Sequence, residues 1–298
     1  MPVNPTGFDY IAVGAGAAGC VMANRLSSDP AVRVALVEAR PSDRRFPVNL
    51  KTTLPVGNVV LLPHARYNWQ HVYSGGDAVN GRDIPCPRGK LFCGCTSVNG
   101  TVYMRGRHSD YDEWAALGNA GWGFDDVLPY FRQHENRAGS AASPGSAFHG
   151  AGGELDVERP AHSNPLAHAF VDAAAQAGHP RNDDFNGRAH DGFGIFESNQ
   201  RRGVRLSSSR AFLHPALARP NLTVFADTLV GRINLSCSRA TGDNPRTLPR
   251  KHGFVKLLQC NNLSFLTDLD CRPGLRDART GAKWPSLKKW NPAPLKTG

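Results

Sequence analysis

The sequence is defined first by what it does not contain. No apolar run approaches the roughly 18 residues of a membrane-spanning helix, which argues against a helical membrane protein. Residues 1–10 carry neither a basic patch nor a long apolar stretch, so no secretory signal is expected. No GxSxG elbow, HExxH pair or GxxxxGK[ST] loop is present, so the local signatures of α/β-hydrolases, zinc peptidases and P-loop enzymes are missing. No two cysteines stand in CxxC spacing. Lysine is scarce over most of the chain: residues 1–232 hold only Lys51 and Lys90 beside 21 arginines.

What remains is an ordinary soluble composition, 40% hydrophobic and 20% charged over 298 residues, enough for one large domain or two modest ones. A net charge of +10 suggests nucleic acid, but its distribution argues otherwise. Residues 1–232 carry 23 basic and 21 acidic groups, whereas residues 233–298 carry 12 and 4. The basicity is thus concentrated at the C-terminal end, and no nucleic-acid partner is expected. The seven cysteines, Cys20, Cys86, Cys93, Cys95, Cys237, Cys260 and Cys271, read as reduced, small buried side chains of a cytoplasmic protein. Cys86, Cys93 and Cys95 lack a nearby histidine to complete a metal set, so no metal is expected.

The first fifty residues carry the clearest pattern. Residues 8–13 form a run rich in β-formers, and residues 32–37 a second apolar strand. Between them lie Gly14-Ala15-Gly16-Ala17-Ala18-Gly19 and a helical stretch ending before Asp29-Pro30. This is GxGxxG at a strand-to-helix turn. Gly14 permits the tight turn, Gly16 gives a pyrophosphate close access to backbone, and Gly19 lets helix and strand approach. Ala17 opens the helix, whose N-terminal N–H groups favour phosphate. Glu38 ends the second strand, followed by Ala39, and its carboxylate can accept hydrogen bonds from ribose hydroxyls. The acid disfavours a 2′-phosphate, leaving FAD or NAD.

The following segments favour FAD. The run PRGKLFCGCTSVNGTVYMRG at residues 87–106 resembles the flavin-site signature of the glucose–methanol–choline (GMC) oxidoreductase family. So do DYDEW at 110–114, GWGFDDVLPYF at 121–131, FHG at 148–150, NDDFNG at 182–187 and SSSRAFL at 207–213, in matching order. The resemblance runs from about residue 8 to 233 and is nearest to the choline and alcohol dehydrogenase branch. It implies an α/β fold: a Rossmann-like FAD-binding domain with part of an α+β substrate-binding domain. Its first part would be residues 1–150, with a substrate-domain segment at 151–220 and a return strand at 221–235. Residues 236–298 would be an atypical, poorly ordered basic tail.

By the same resemblance, Gly89, Asn99, Gly100, Thr101 and Val102 line the flavin, and Val230 contacts the adenine portion through its backbone. Val98 stands where some members carry the histidine that links flavin covalently, so non-covalent FAD is expected. The family usually has glycine where this chain has Cys93, and a left-handed backbone there would strain the turn by roughly 1 kcal/mol or more. The helical run 164–178 has Asn164 as its cap, Pro165 in its first turn and Gly178 at its end. The histidines are scattered, and none is assigned a catalytic role. The implied reaction is oxidation of a primary alcohol, choline-like or other, with hydride transfer to flavin and oxygen or a quinone as acceptor. The implied location is cytoplasmic or peripheral to the inner membrane.

Beyond residue 233 the family pattern fades. A family member would continue with a β-hairpin, the rest of the substrate domain and a catalytic histidine; residues 240–298 instead offer scattered prolines and basic groups. A frameshift, a fusion to unrelated sequence and a real basic extension are the three explanations, and the first is favoured. On any of them the chain as written is expected to be a poor catalyst. An NAD-linked dehydrogenase and a non-catalytic flavin-binding fragment are the alternatives.

Overall fold

The computed structural model describes residues 7–137, 147–236 and 239–247. Strand β1 (Tyr10–Val13), helix α1 (Ala17–Leu26) and strand β2 (Val34–Val37) form the expected strand–turn–helix–strand unit. The sequence-drawn strands begin two residues early, because Phe8 and Val32 pack on the core without joining the ladder.

After β2 the chain makes a long excursion. It runs through α2 (Val48–Thr53), α3 (Gly57–Leu61) and the hairpin β3 (His71–Tyr73) and β4 (Ile84–Cys86). A 3₁₀ turn at Gly94–Ser97 follows, then α4 (His108–Ala116) and α5 (Phe124–His134). Strand β5 (Glu135–Arg137) pairs in parallel with β6 (Leu155–Val157), and α6 spans Pro165–Gln176. The short hairpin β7 (Gln200–Arg201) and β8 (Val204–Arg205) leads into a π-helical turn at Ser209–Leu213 and the short α7 (His214–Ala216).

Strand β9 (Leu222–Phe225) then returns to the first sheet. The order is β1-β2-β9, all parallel, with Val34 opposite both Tyr10 and Leu222. All four residues of β2 are buried, as an apolar central strand requires. Helix α1 covers the sheet through Cys20 and Ala23, and Leu213 and Ala216 close the same cluster from the far end of the excursion. This is the Rossmann-like core. Its strand ends at Val13, Val37 and Phe225 lie on one edge, where open parallel sheets bind ligands.

Helix α6 starts and stops as its sequence prescribes. Asn164 Oδ1 accepts from Leu166 N at 2.9 Å, Pro165 is the first helical residue, and Gly178 takes φ +89° just beyond the end. Its buried residues are Val171 and Ala174.

The hairpin after β9 differs from the sequence reading. Strand β10 (Thr228–Ser236) pairs antiparallel with β11 (Arg239–Thr247), so regular pairing continues past the boundary drawn at residue 235. Strand β11 reads RATGDNPRT, with Gly242 and Pro245 inside it. Both residues are depleted from strands, and no alternation announces it. Pro245 stands opposite Val230, on a two-stranded ladder whose outer edge tolerates a missing N–H. The rest of the expected tail, residues 248–298, lies outside the described residues.

Candidate functional site

The glycine turn between β1 and α1 has the geometry that its three glycines require. Gly14 takes φ +89° and donates its N–H to Val37 O at 2.7 Å. A Cβ on Gly19 would stand 2.0 Å from Gly14 O, so only glycine lets the helix approach the turn. A Cβ on Gly16 would meet nothing within 4 Å. The space over Gly16 is therefore open to a ligand. Helix α1 has no acidic residue in its first turn and no side-chain cap, so its N-terminal N–H groups, with exposed Ala17 at their head, face that opening.

Glu38 is buried at the end of β2. Its Oε2 accepts from Ala15 N at 2.8 Å and its Oε1 from Arg40 N at 3.1 Å. Burial pushes its carboxyl up to about 6 against the pull of those backbone donors. The carboxylate thus braces the glycine turn. Ala39 is buried beside it, and Thr228 N donates to Glu38 O at 2.8 Å, which carries the start of β10, two residues before Val230, to the same edge.

The loop that resembles a flavin signature is tied to this turn. Cys93 N donates to Ala15 O at 2.5 Å, and a Cβ on Gly94 would touch Gly16 Cα at 3.6 Å. A Cβ on Gly89 would stand 2.2 Å from Gly94 O, so the two glycines let the loop fold tightly onto itself. Cys93 takes φ +71°, the left-handed backbone that the sequence reading flagged. Its side chain is fully buried in the α1 cluster, 3.7 Å from Cys20 Sγ, and accepts from Ser209 N. The Cys20 thiol is pushed up by its hydrogen bond to Cys93 and by burial. Cys20, Cys86 and Cys93 are buried as expected; Cys95 is exposed, because the 3₁₀ turn points it outward.

Residues 99–102 follow. Asn99 Oδ1 accepts from Thr101 N at 3.1 Å, and buried Thr101 takes φ +64°. A β-branched residue in that region is a strained outlier, of the kind that gathers at ligand sites. The loop is held on its other side by residues 197–206. Asn199 N donates to Thr101 O at 2.9 Å, Gln200 Nε2 to Thr101 Oγ1 at 2.7 Å, and Tyr103 N to Glu197 O at 2.9 Å. A Cβ on Gly100 would meet nothing within 4 Å, and Val102 is exposed, so this part of the loop presents an open face. Val98 points the other way, buried among Val48, Leu61, Tyr67 and Leu91.

Two groups outside the sequence-derived set complete the frame. Arg205 is fully buried and donates to Asn99 Oδ1 at 2.6 Å. Arg105 joins Glu135 at 2.9 Å, Glu135 meets His149 Nδ1 at 3.2 Å, and His149 Nε2 meets Asp184 at 2.8 Å. Burial pulls the His149 imidazole down, but the Asp184 and Glu135 hydrogen bonds outweigh it and hold it above its ordinary range. His149 thereby links β5 to the segment at Asp184. Arg105, His149 and Asp184 lie in segments that carry the family resemblance, but nothing local in the sequence announces their pairing, which joins residues 14 to 106 positions apart. Among the described residues no cluster of three metal-binding side chains occurs, and no helix is long and apolar enough to cross a membrane.

The pieces meet the demands of a flavin dinucleotide: an open glycine turn at a helix N-terminus, a buried acid at the next strand end, and a strained loop bonded to that turn. Comparison with known proteins gives the family. Residues 8–256 match the GMC oxidoreductase family. Mitochondrial choline dehydrogenase of Homo sapiens is 40% identical over 240 residues, which cover 79% of this chain and 39% of that protein. Oxygen-dependent choline dehydrogenase of Pseudomonas aeruginosa (strain UCBPP-PA14) is 39% identical over 282 residues, 91% of this chain and 49% of that one. The chain therefore spans less than half the length of these curated relatives. Among solved structures, pyridoxine 4-oxidase from Mesorbium loti superposes with a TM-score of 0.73 at 31% identity, covering 80% of this chain and 46% of that one. Formate oxidase of Aspergillus oryzae RIB40 shares the fold, with a TM-score of 0.73 at 23% identity over 87% of this chain and 45% of its own. A match over so much of the chain makes the protein a member of the GMC oxidoreductase family.

Proposed function

We propose that this chain holds FAD without a covalent bond and forms the cofactor-binding part of an enzyme that oxidises a primary alcohol, choline-like or related. Bound FAD would take a hydride from the alcohol carbon. The chain's own residues do the holding. The Gly14–Gly19 turn and the α1 N-terminus face the pyrophosphate, and Glu38 and Ala39 the ribose. The backbone of Val230 flanks the adenine, while Gly89 and residues 99–102 flank the flavin. The observation that carries this reading is the hydrogen bond from Cys93 N to Ala15 O, which joins the dinucleotide turn to the flavin loop in one frame.

An aliphatic Val98, buried away from the loop's open face, supports non-covalent attachment. Oxygen is the first acceptor to test, since relatives carry oxygen dependence in their names, and a quinone is the second. A cytoplasmic location, free or peripheral to the inner membrane, goes with this reading.

Titration of the purified chain with FAD and, separately, NAD is the test. FAD should bind and shift the melting temperature upward, NAD should not, and acid precipitation should leave all flavin in the supernatant. A folded, colourless chain that refuses FAD but takes NAD sinks the proposal. Flavin left in the pellet sinks its non-covalent part.

A further inference from the structure

Arg205 is the most completely buried large cation of the described residues, with no exposed surface. Every oxygen it reaches is neutral. Nη1 donates to Asn99 Oδ1 at 2.6 Å and to Thr96 O at 3.3 Å, Nη2 donates to Pro55 O at 2.9 Å, and Nε has no partner. No carboxylate among the described residues pairs with it. Burial, with repulsion from Arg210, lowers its pKa to about 10, so it stays charged at neutral pH. A buried cation without a counter-charge is a costly way to fill a core.

Its contacts explain why a guanidinium stands there. Asn99 Oδ1 is shared: it accepts from Arg205 and from Thr101 N. Arg205 fixes the Asn99 carboxamide, and the carboxamide holds Thr101 in its left-handed turn. The planar fork of arginine can grip the loop at Asn99 and Thr96 while its other amino group is anchored on Pro55, beside α2. The neighbouring residues reinforce the grip, with Ser208 N on Thr96 Oγ1 at 3.2 Å and Ser209 N on Cys93 Sγ.

We infer that Arg205 is a positioning residue for FAD, which sets the geometry of residues 99–102 through the Asn99 carboxamide. The inference rests on the FAD reading given above.

The test is a double-mutant cycle on FAD affinity in the full chain, read by flavin fluorescence, with melting curves of each cofactor-free variant. Arg205→Lys keeps a charge but loses the fork, and Asn99→Ala removes the shared acceptor. Each single change should weaken FAD roughly 10- to 100-fold, as loss of a charge-assisted hydrogen bond implies. The double variant should be no weaker than the weaker single variant, within about threefold. Losses that multiply instead would make Arg205 a structural group independent of Asn99 and overturn the inference. Asn99→Asp, which keeps both accepted hydrogen bonds, provides an arm that leaves Arg205 intact. It should bind FAD at least about tenfold more tightly than Asn99→Ala, and equal weakness overturns the inference. A wild-type chain that rejects FAD overturns the flavin reading and this inference together, whereas wild-type binding with a multiplicative cycle overturns this inference alone.

Discussion

At the scale of single residues, two side chains show how competing terms are resolved. Cys93 occupies a left-handed backbone, a strain of roughly 1–2 kcal/mol for a residue with a Cβ. The thiol also fills the α1 cluster and accepts from Ser209 N, and a buried N–H left without a partner costs about 1–3 kcal/mol. The second effect, with the lost packing, should win. Cys93→Gly is therefore expected to lower stability by about 1 kcal/mol, a melting shift of roughly 2–4 °C; a rise in melting temperature would show that the strain dominates. Glu38 offers a pH prediction. Its carboxyl, raised to about 6, is protonated in the cofactor-free chain below that pH, whereas ribose hydroxyls bond more strongly to the ionised carboxylate. FAD binding should thus release a proton and weaken below about pH 6, by up to roughly tenfold per unit. Calorimetric titration between pH 5 and 7.5 reads this directly, and a pH-independent affinity would remove Glu38 from the site.

At the scale of elements, the glycine turn separates fold from function. Gly16 stands over open space, so Gly16→Ala should leave the melting temperature within about 2 °C yet weaken FAD at least about tenfold, because the added methyl group enters the pyrophosphate position. Gly19→Ala puts its methyl group onto Gly14 O and should cost stability before any ligand is added. Melting curves of both variants with and without FAD distinguish the roles; equal destabilisation by both would mean the turn is only structural. The neighbouring loop has no such redundancy. Cys93 and Asn99, its two fixed points, are held by contacts to the π-helical turn and β8, which follow more than a hundred residues later.

At the scale of the whole molecule, the Arg105–Glu135–His149–Asp184 chain joins the flavin-loop end to the segments beyond α5. The His149 pKa is raised above its ordinary value of 6.5 by two carboxylates, against the opposing effect of burial. Its contribution to stability is complete below about pH 6.5 and is lost as pH rises through the raised value. Glu135 and Asp184 are held low despite burial, largely by hydrogen bonds to His149, so their contribution disappears in acid. Stability should peak in mildly acidic solution and fall by a few degrees of melting temperature toward pH 8.5. His149→Gln should melt lower at pH 6 and lose most of that alkaline slope. An unchanged slope in the variant would place the pH dependence elsewhere.

Neighbouring residues are enough to specify the local pattern: the strand, the glycine turn, α1, the terminal acid of β2 and the capped α6. Each follows from residues within one or two turns of one another, where propensity, capping and steric freedom act directly. Cys93 stands out only through the family resemblance, which puts glycine at that position, and the backbone there is left-handed. What holds the candidate site together comes from long-range contacts. Arg205 on Asn99, Ser209 on Cys93, and His149 between Glu135 and Asp184 join positions far apart in the chain, and burial gives each bond its weight. Strand β11 is illegible for the complementary reason: apart from Thr241 and Thr247 its residues do not favour strand, and the ladder with β10 supplies the order that the local sequence withholds.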